Sequence, residues 1–271
     1  MKKTKLKFGV IGSGSWGTAL IKILSENNDE INWYIRNKHN IDFISNNSHN
    51  PNYLSSVELK IRKLKISENI NDIVSNSDVI IIAVPSEYVN AEMKKIKVNI
   101  YDKIVICGLK GLVPETNLLF SEHMQKHFSV SKNNFLVIGG PCHAEEVALE
   151  KLSYLTIGSS NLNLGKLISE KFKCKYINVK SSDDVIGIEY ASMLKNIFAL
   201  AVGISNGLGY GDNYQSVLVS NSIKEMKKFI SKRHKIKRNI NNSAYLGDLL
   251  VTGYSSFSRN RMFGNMIGEG Y

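Results

Sequence analysis

Lys195 stands where lysines rarely stand. Between Glu189 and Asp212 it is the only charged residue, and at helical spacing it shares a stripe with Ile188, Ala191, Phe198 and Val202. Burying an amine without a partner is costly. Two readings follow: a side chain that snorkels to solvent along its methylene stem, or an amine tuned by partial burial and a neighbouring carboxylate until it can pass a proton. A carboxylate that could serve is Asp248, in Leu246-Gly247-Asp248-Leu249-Leu250-Val251-Thr252. A few residues on, Ser258-Arg259-Asn260-Arg261 offers a hydroxyl, a guanidinium and an amide at what reads as a helix start, an arrangement suited to a phosphate. Its plain alternative is an N-cap serine followed by surface arginines.

A second chemical signature lies near the start, in Gly12-Ser13-Gly14-Ser15-Trp16-Gly17. It follows the β-rich run Lys7-Phe8-Gly9-Val10-Ile11 and precedes Thr18 to Leu24, which alternates at helical spacing. In a strand–turn–helix of this kind Gly12 lets the chain turn, Gly14 leaves room for a pyrophosphate against the backbone, and Gly17 lets helix and strand pack closely. The free N–H groups of the new helix, from Ser15 and Trp16 onward, then face the phosphates. The next predicted strand, Glu30 to Arg36, ends in Arg36 where an NAD site usually places an acidic residue for the ribose 2′-hydroxyl. A guanidinium suits a 2′-phosphate, so the sequence leans toward NADP; the alternative is a solvated arginine at a strand end.

The elements that must position these groups are legible as a pattern. Asp78 to Ser86 is apolar on both faces, as in the middle of a parallel sheet covered by helices. Lys103 to Gly111 and Phe135 to Pro141 repeat that plan, each a strand ending in glycines. Such strand ends form the ligand crevice of doubly wound sheets, which makes Pro85, Lys110 and Cys142 site candidates on topology alone. Further strands are predicted at Tyr154–Gly158 and Cys174–Val179 around a helix at 163–173, and from Asp183 the pattern turns helical. The expected fold is therefore α/β: a Rossmann-type doubly wound sheet over residues 1–181, followed by an all-α domain over 182–271.

The composition fits this plan. At 271 residues, with 43% hydrophobic and 22% charged residues, the chain can bury a large core. Three cysteines, Cys107, Cys142 and Cys174, form neither a disulfide framework nor a metal-type spacing, so no metal is expected and a reducing cytoplasm fits. Met1-Lys2-Lys3 imitates the start of a signal peptide but lacks a cleavage pattern. No stretch is expected to be long enough to span a bilayer. The net charge is +11, and the densest basic run, Lys232 to Arg238, has no interleaved aromatics. It is predicted to be a solvated loop, with no nucleic-acid partner.

Six segments taken together resemble bacterial-type NAD(P)-dependent glycerol-3-phosphate dehydrogenases: Gly12 to Gly17, Leu109-Lys110-Gly111-Leu112, Gly140 to Ala148, Leu194-Lys195-Asn196, Gly247-Asp248-Leu249 and Ser258 to Arg261. The resemblance spans essentially the whole chain, in order. It implies hydride transfer between a nicotinamide and C2 of dihydroxyacetone phosphate or sn-glycerol 3-phosphate, for phospholipid synthesis. It further implies that Lys195 is the general acid/base, that Asp248 orients it, and that Lys110 faces substrate and cofactor. Asn196, Thr252, Ser258, Arg259 and Asn260 are expected to hold the substrate, with Arg259 also near the cofactor; Gly140, Cys142 and Ala144 line both. By resemblance a homodimer is expected.

Two departures stand out. Cys142 occupies a position more often serine or threonine, and a thiol is the weaker donor; a Cys142–His143 nucleophile is disfavoured because adjacent loop residues rarely aim at each other. The family also continues for several helices past Gly270, which predicts uncovered apolar residues on the helical domain and leaves open a dinucleotide-binding remnant without turnover. A β-hydroxyacid dehydrogenase is the related alternative, and Ser258 to Arg261 favours the phosphorylated substrate over it.

Overall fold

Short runs of β-branched residues build a single sheet in the computed structural model, which describes residues 6–271; Met1-Lys2-Lys3 lies outside the described residues. Its strands are β1 (Phe8–Ile11), β2 (Ile31–Tyr34), β3 (Leu64–Ser67), β4 (Val79–Ile82), β5 (Ile104–Cys107), β6 (Phe135–Gly139), β7 (Ser153–Ser159) and β8 (Ile177–Ser182). Their order across the sheet is β3-β2-β1-β4-β5-β6-β7-β8. All pairs from β3 to β6 are parallel, β7 runs antiparallel to β6, and β8 is parallel to β7. The order reverses between β1 and β4, which places a crevice at the carboxyl ends of those strands.

Helices α1 (Ser15–Asn27), α2 (Lys38–Asn47), α3 (Ile70–Ser75), α4 (Ser86–Met93), α5 (Phe120–Phe128), α6 (Ala144–Ala148) and α7 (Leu162–Phe172) connect the strands. The central strands feed two cores by alternation. Ile11, Ile80, Ile82, Val105 and Val137 point to one face, and Val10, Val79, Ile81, Ile106 and Leu136 to the other. This is why those strands read as unbroken apolar runs. Two boundaries differ from expectation. The second strand stops at Tyr34, and Arg36 lies beyond it in the crevice-side turn. The last strand begins at Ile177 because Cys174 turns back to pair with Ile177 in an isolated bridge.

The helical region contains α8 (Val185–Gly207), α9 (Asp212–Arg233), α10 (Asp248–Tyr254) and α11 (Arg259–Glu269), with a π-helical turn, Ser243–Gly247, leading into α10. α8 lies against the sheet: Ile188 seats its branched side chain on Gly139 and Gly158, where a Cβ would collide with it. The expectation that no stretch could span a bilayer needs correction. α8 has 23 residues and mean hydropathy 1.5, enough by length and composition, but 67% of its apolar window is buried inside the protein. It is a core helix.

α8 and α11 touch backbone to backbone. Cβ atoms at Gly203 and Gly207 would overlap the carbonyls of Arg261 and Asn265, and those at Gly264 and Gly268 the carbonyls of Leu200 and Ile204. The two small-xxx-small stripes thus run parallel. Carried back along both helices, their register brings the start of α11 level with α8 around Phe198, about one turn past Lys195. α11 ends at Gly270, whose φ of +94° closes it in the left-handed conformation. With its glycine side on α8, α11 turns Met262, Phe263 and Met266 outward, each more than half exposed at 54%, 59% and 51%. The expected apolar patch is therefore present.

The basic run is not wholly solvated. Lys232 and Arg233 close α9, whereas the Arg238 side chain is buried and bonded to Asp184.

Candidate active site

The glycine turn has the shape a dinucleotide requires. Gly12 has φ +124°, and a Cβ there would overlap the Ala83 carbonyl at the end of β4. A Cβ on Gly17 would overlap the Gly12 carbonyl, so α1 sits hard against the turn. Gly14 opens into free space and is the N-cap of α1 without a side-chain cap, which leaves the first-turn N–H groups of Ser15, Trp16 and Gly17 available to an anion. Across the crevice Pro85 caps α4 at the end of β4, and Ala144 opens α6 next to β6. These residues fit a bound NAD(P).

Arg36 lies further along the crevice, its side chain 65% exposed, with Nη1 3.4 Å from the buried Glu92 carboxylate. That carboxylate is already bonded by Lys95 at 3.0 Å to each oxygen and by the Tyr34 hydroxyl at 3.2 Å. The long Arg36 contact leaves the guanidinium able to turn to a ligand.

At the other end of the crevice the two halves of the chain meet. Lys195 Nζ donates to Asp248 Oδ1 at 2.6 Å, and the two residues are only 4% and 2% exposed. This removes the snorkelling reading of Lys195. Asp248 Oδ2 has no protein partner. The pair borders a small cavity that also takes in Trp16, Lys110, Gly140 and Cys142. Asn196, one residue past the lysine, donates Nδ2 to the Lys110 carbonyl at 3.0 Å and so fixes the loop after β5 to α8.

Lys110 keeps contact with solvent, its Nζ 5.8 Å from the centre of the Trp16 ring. The neighbouring Lys195 charge, then burial in the cleft, lowers its pKa to about 8; solvent contact screens part of that effect. The charge is therefore present below this pH and lost above it. We expect kcat/KM for carbonyl reduction to fall on the alkaline side, at a pH of about 8 or above but below that of an ordinary lysine, because kcat/KM reports groups of the free enzyme. Lys110→Arg, which cannot deprotonate, will move that limb upward in a pH–rate profile. A limb unmoved by the substitution would assign it to another group.

Burial pushes the Cys142 thiol up to about 12, so it stays protonated and is no nucleophile. Its neighbour His143 packs its ring against Phe257, centroids 6.3 Å apart, and burial, then Lys110 and Lys195, lower its pKa.

Several residues expected to hold the substrate lie outside this small cavity. Thr252 turns its hydroxyl back to the Asp248 carbonyl at 2.6 Å. The Ser258 hydroxyl accepts the Arg261 N–H at 3.4 Å, which is the N-cap arrangement. Arg259 and Asn260 occupy the first turn of α11. None of these four borders the cavity, and neither do Arg36 and Pro85. Conversely Gly108, Gly139, Leu155 and Ser192 line it without having been singled out. For Ser192 the signal was available, since it precedes Lys195 by three residues on one helix face.

A mostly parallel sheet whose strand order reverses at a glycine cradle, with a buried lysine–aspartate pair at its carboxyl edge, defines a Rossmann-type oxidoreductase. Models of the N-terminal and C-terminal parts of NAD-dependent glycerol-3-phosphate dehydrogenase match residues 7–165 and 184–271. Proteins named glycerol-3-phosphate dehydrogenase [NAD(P)+] from Macrococcus caseolyticus and Bacillus subtilis are 35% and 34% identical over 98% of this chain and 80% and 77% of their own. The crystal structure of glycerol-3-phosphate dehydrogenase from Coxiella burnetii superposes with a TM-score of 0.88 at 30% identity, covering 98% of this chain and 81% of that one. The chain belongs to the NAD(P)-dependent glycerol-3-phosphate dehydrogenase family.

Proposed function

We propose that this protein catalyses the reversible reduction of dihydroxyacetone phosphate to sn-glycerol 3-phosphate with NAD(P)H, in the cytoplasm and as a homodimer, supplying the backbone of phospholipids. The observation that carries the reaction is the buried Lys195–Asp248 pair, 2.6 Å apart, at the cofactor crevice. NAD(P)H held at the Gly12–Gly17 turn would supply the hydride to C2. Lys195 Nζ donates a proton to the carbonyl oxygen, so that no free alkoxide forms. Asp248 holds that amine in line and Lys110 sets a second positive charge beside the developing negative one. The first turn of α11, with Ser258, Arg259 and Asn260, provides backbone N–H groups and a guanidinium for the substrate phosphate. The division of labour runs between the sheet, whose last strand reaches Ser182, and the helices from Val185 onward, close to the boundary at 181/182 expected from the sequence. An assay of dihydroxyacetone phosphate with NADPH, followed by loss of reduced cofactor, tests the reaction; turnover of unphosphorylated β-hydroxyacids in its place would sink it.

NADP is favoured over NAD because Arg36 stands where a 2′-hydroxyl acceptor usually stands. A charge-assisted contact is worth ~1.5–3 kcal/mol, or roughly ten- to more than a hundredfold in affinity. Arg36→Ala will therefore weaken NADPH binding by about that factor and NADH binding little. Equal losses in fluorescence titrations of both cofactors would show that Arg36 does not read the phosphate.

A further inference from the structure

Lys195 and Asp248 arrive from separate elements, and a single carboxylate holds both. Asp184 is the N-cap of α8, the helix of Lys195, and its Oδ1 accepts the Gly187 N–H at 3.0 Å. The fit is tight, since a Cβ on Gly187 would overlap the Asp184 carboxylate. Asp184 Oδ2 in turn accepts the hydroxyl of Tyr245 at 2.6 Å. Tyr245 lies inside the π-helical turn, and the Asp248 N–H closes that turn on the Ser243 carbonyl. Arg238 completes the junction, bonding both Asp184 oxygens and the His234 carbonyl. Burial works against the charge on Asp184, but the bonds from Arg238 and Tyr245 outweigh it and hold its carboxyl below the usual aspartate range.

From this geometry we infer that Asp184, Arg238 and Tyr245 are positioning residues that set the register between α8 and the π-helical turn, and thereby bring Asp248 onto Lys195. A π-helical turn is a rare way to enter a helix and is frequently found at functional sites. Here its wide loop carries the aspartate, and the Tyr245 hydroxyl ties it to the start of the lysine helix. An ion pair with both members buried tolerates little displacement, and a misplacement of about 1 Å can cost on the order of a hundredfold in rate. The inference rests on Lys195 and Asp248 being the proton-transfer pair.

The test is a double-mutant cycle on the full chain. Tyr245→Phe keeps the ring and removes one hydrogen bond, so it is the variant that will fold; Arg238→Lys, which keeps the charge but loses the fork, is the second. Each will lower kcat roughly tenfold, with KM for NADPH changed less than about twofold. In an Asp248→Asn background the same substitutions will lower kcat no further. A Tyr245→Phe enzyme that melts earlier but turns over at the wild-type rate would reduce the network to a structural role. Equal losses in both backgrounds would overturn action through Asp248 alone, whereas an Asp248→Asn enzyme with wild-type kcat would overturn the lysine–aspartate pair itself and this inference with it.

Discussion

Lys195→Ala is expected to abolish hydride transfer while cofactor binding survives. The amine lines the cavity and is held in a fixed position by Asp248, and loss of a positioned general acid typically costs ~10²–10⁴ in rate. Lys195→Met, similar in length and apolarity to its surroundings but with no proton to give, will fail equally. Both variants retain the Gly12–Gly17 turn and α1, which lie on other elements, so NADPH affinity should stay within a few-fold. Single-turnover reduction of dihydroxyacetone phosphate and a parallel cofactor titration check the two halves of the statement. Turnover within a few-fold of wild type in either variant would remove Lys195 from the mechanism.

The second large effect is on stability. Lys195 and Asp248 are both nearly inaccessible to water, and removing one member of a buried pair leaves an uncompensated charge, at a cost of about 3–5 kcal/mol. Set against a total of ~5–15 kcal/mol for a folded domain, Asp248→Ala should lower the urea midpoint markedly. The double variant Lys195→Met/Asp248→Leu replaces the pair by apolar groups of similar size and will recover most of that loss, while remaining inactive. Stability and activity thus separate, as expected of groups retained for chemistry. An Asp248→Ala protein as stable as wild type in urea would mean that the pair is hydrated in solution.

The fold was largely legible in the residues. Both-face apolar runs such as Val79–Ile82 can be satisfied only by a sheet covered on both sides, and the glycine turn between Ile11 and Thr18 fixes a strand–turn–helix by steric exclusion alone. Much of the site followed from the same local rules. Lys195 was visible as a charge on an apolar stripe, and Lys110 and Cys142 as residues just past strand ends. Asp248 was visible as a candidate carboxylate, and the resemblance implied that it orients the lysine.

What stayed hidden depends on partners distant along the chain. The basic run at 232–238 has the composition of a solvated loop, and only the proximity of Asp184 makes Arg238 a buried anchor. Ser258 and Thr252 carry hydroxyls fit for a ligand, and only in the fold does each gain a backbone partner, Ser258 by accepting an N–H and Thr252 by donating to a carbonyl. The glycines of α8 and α11 show small residues at helical spacing, and the matching stripe that turns them into a backbone-to-backbone contact lies about sixty residues away. Local sequence thus determined which elements form and which side chains are chemically able. The tertiary structure decided which partners those groups have, because a hydrogen bond or ion pair is allotted by proximity in space, and Asp184, Arg238 and Tyr245, up to 61 residues apart along the chain, meet only in the folded protein.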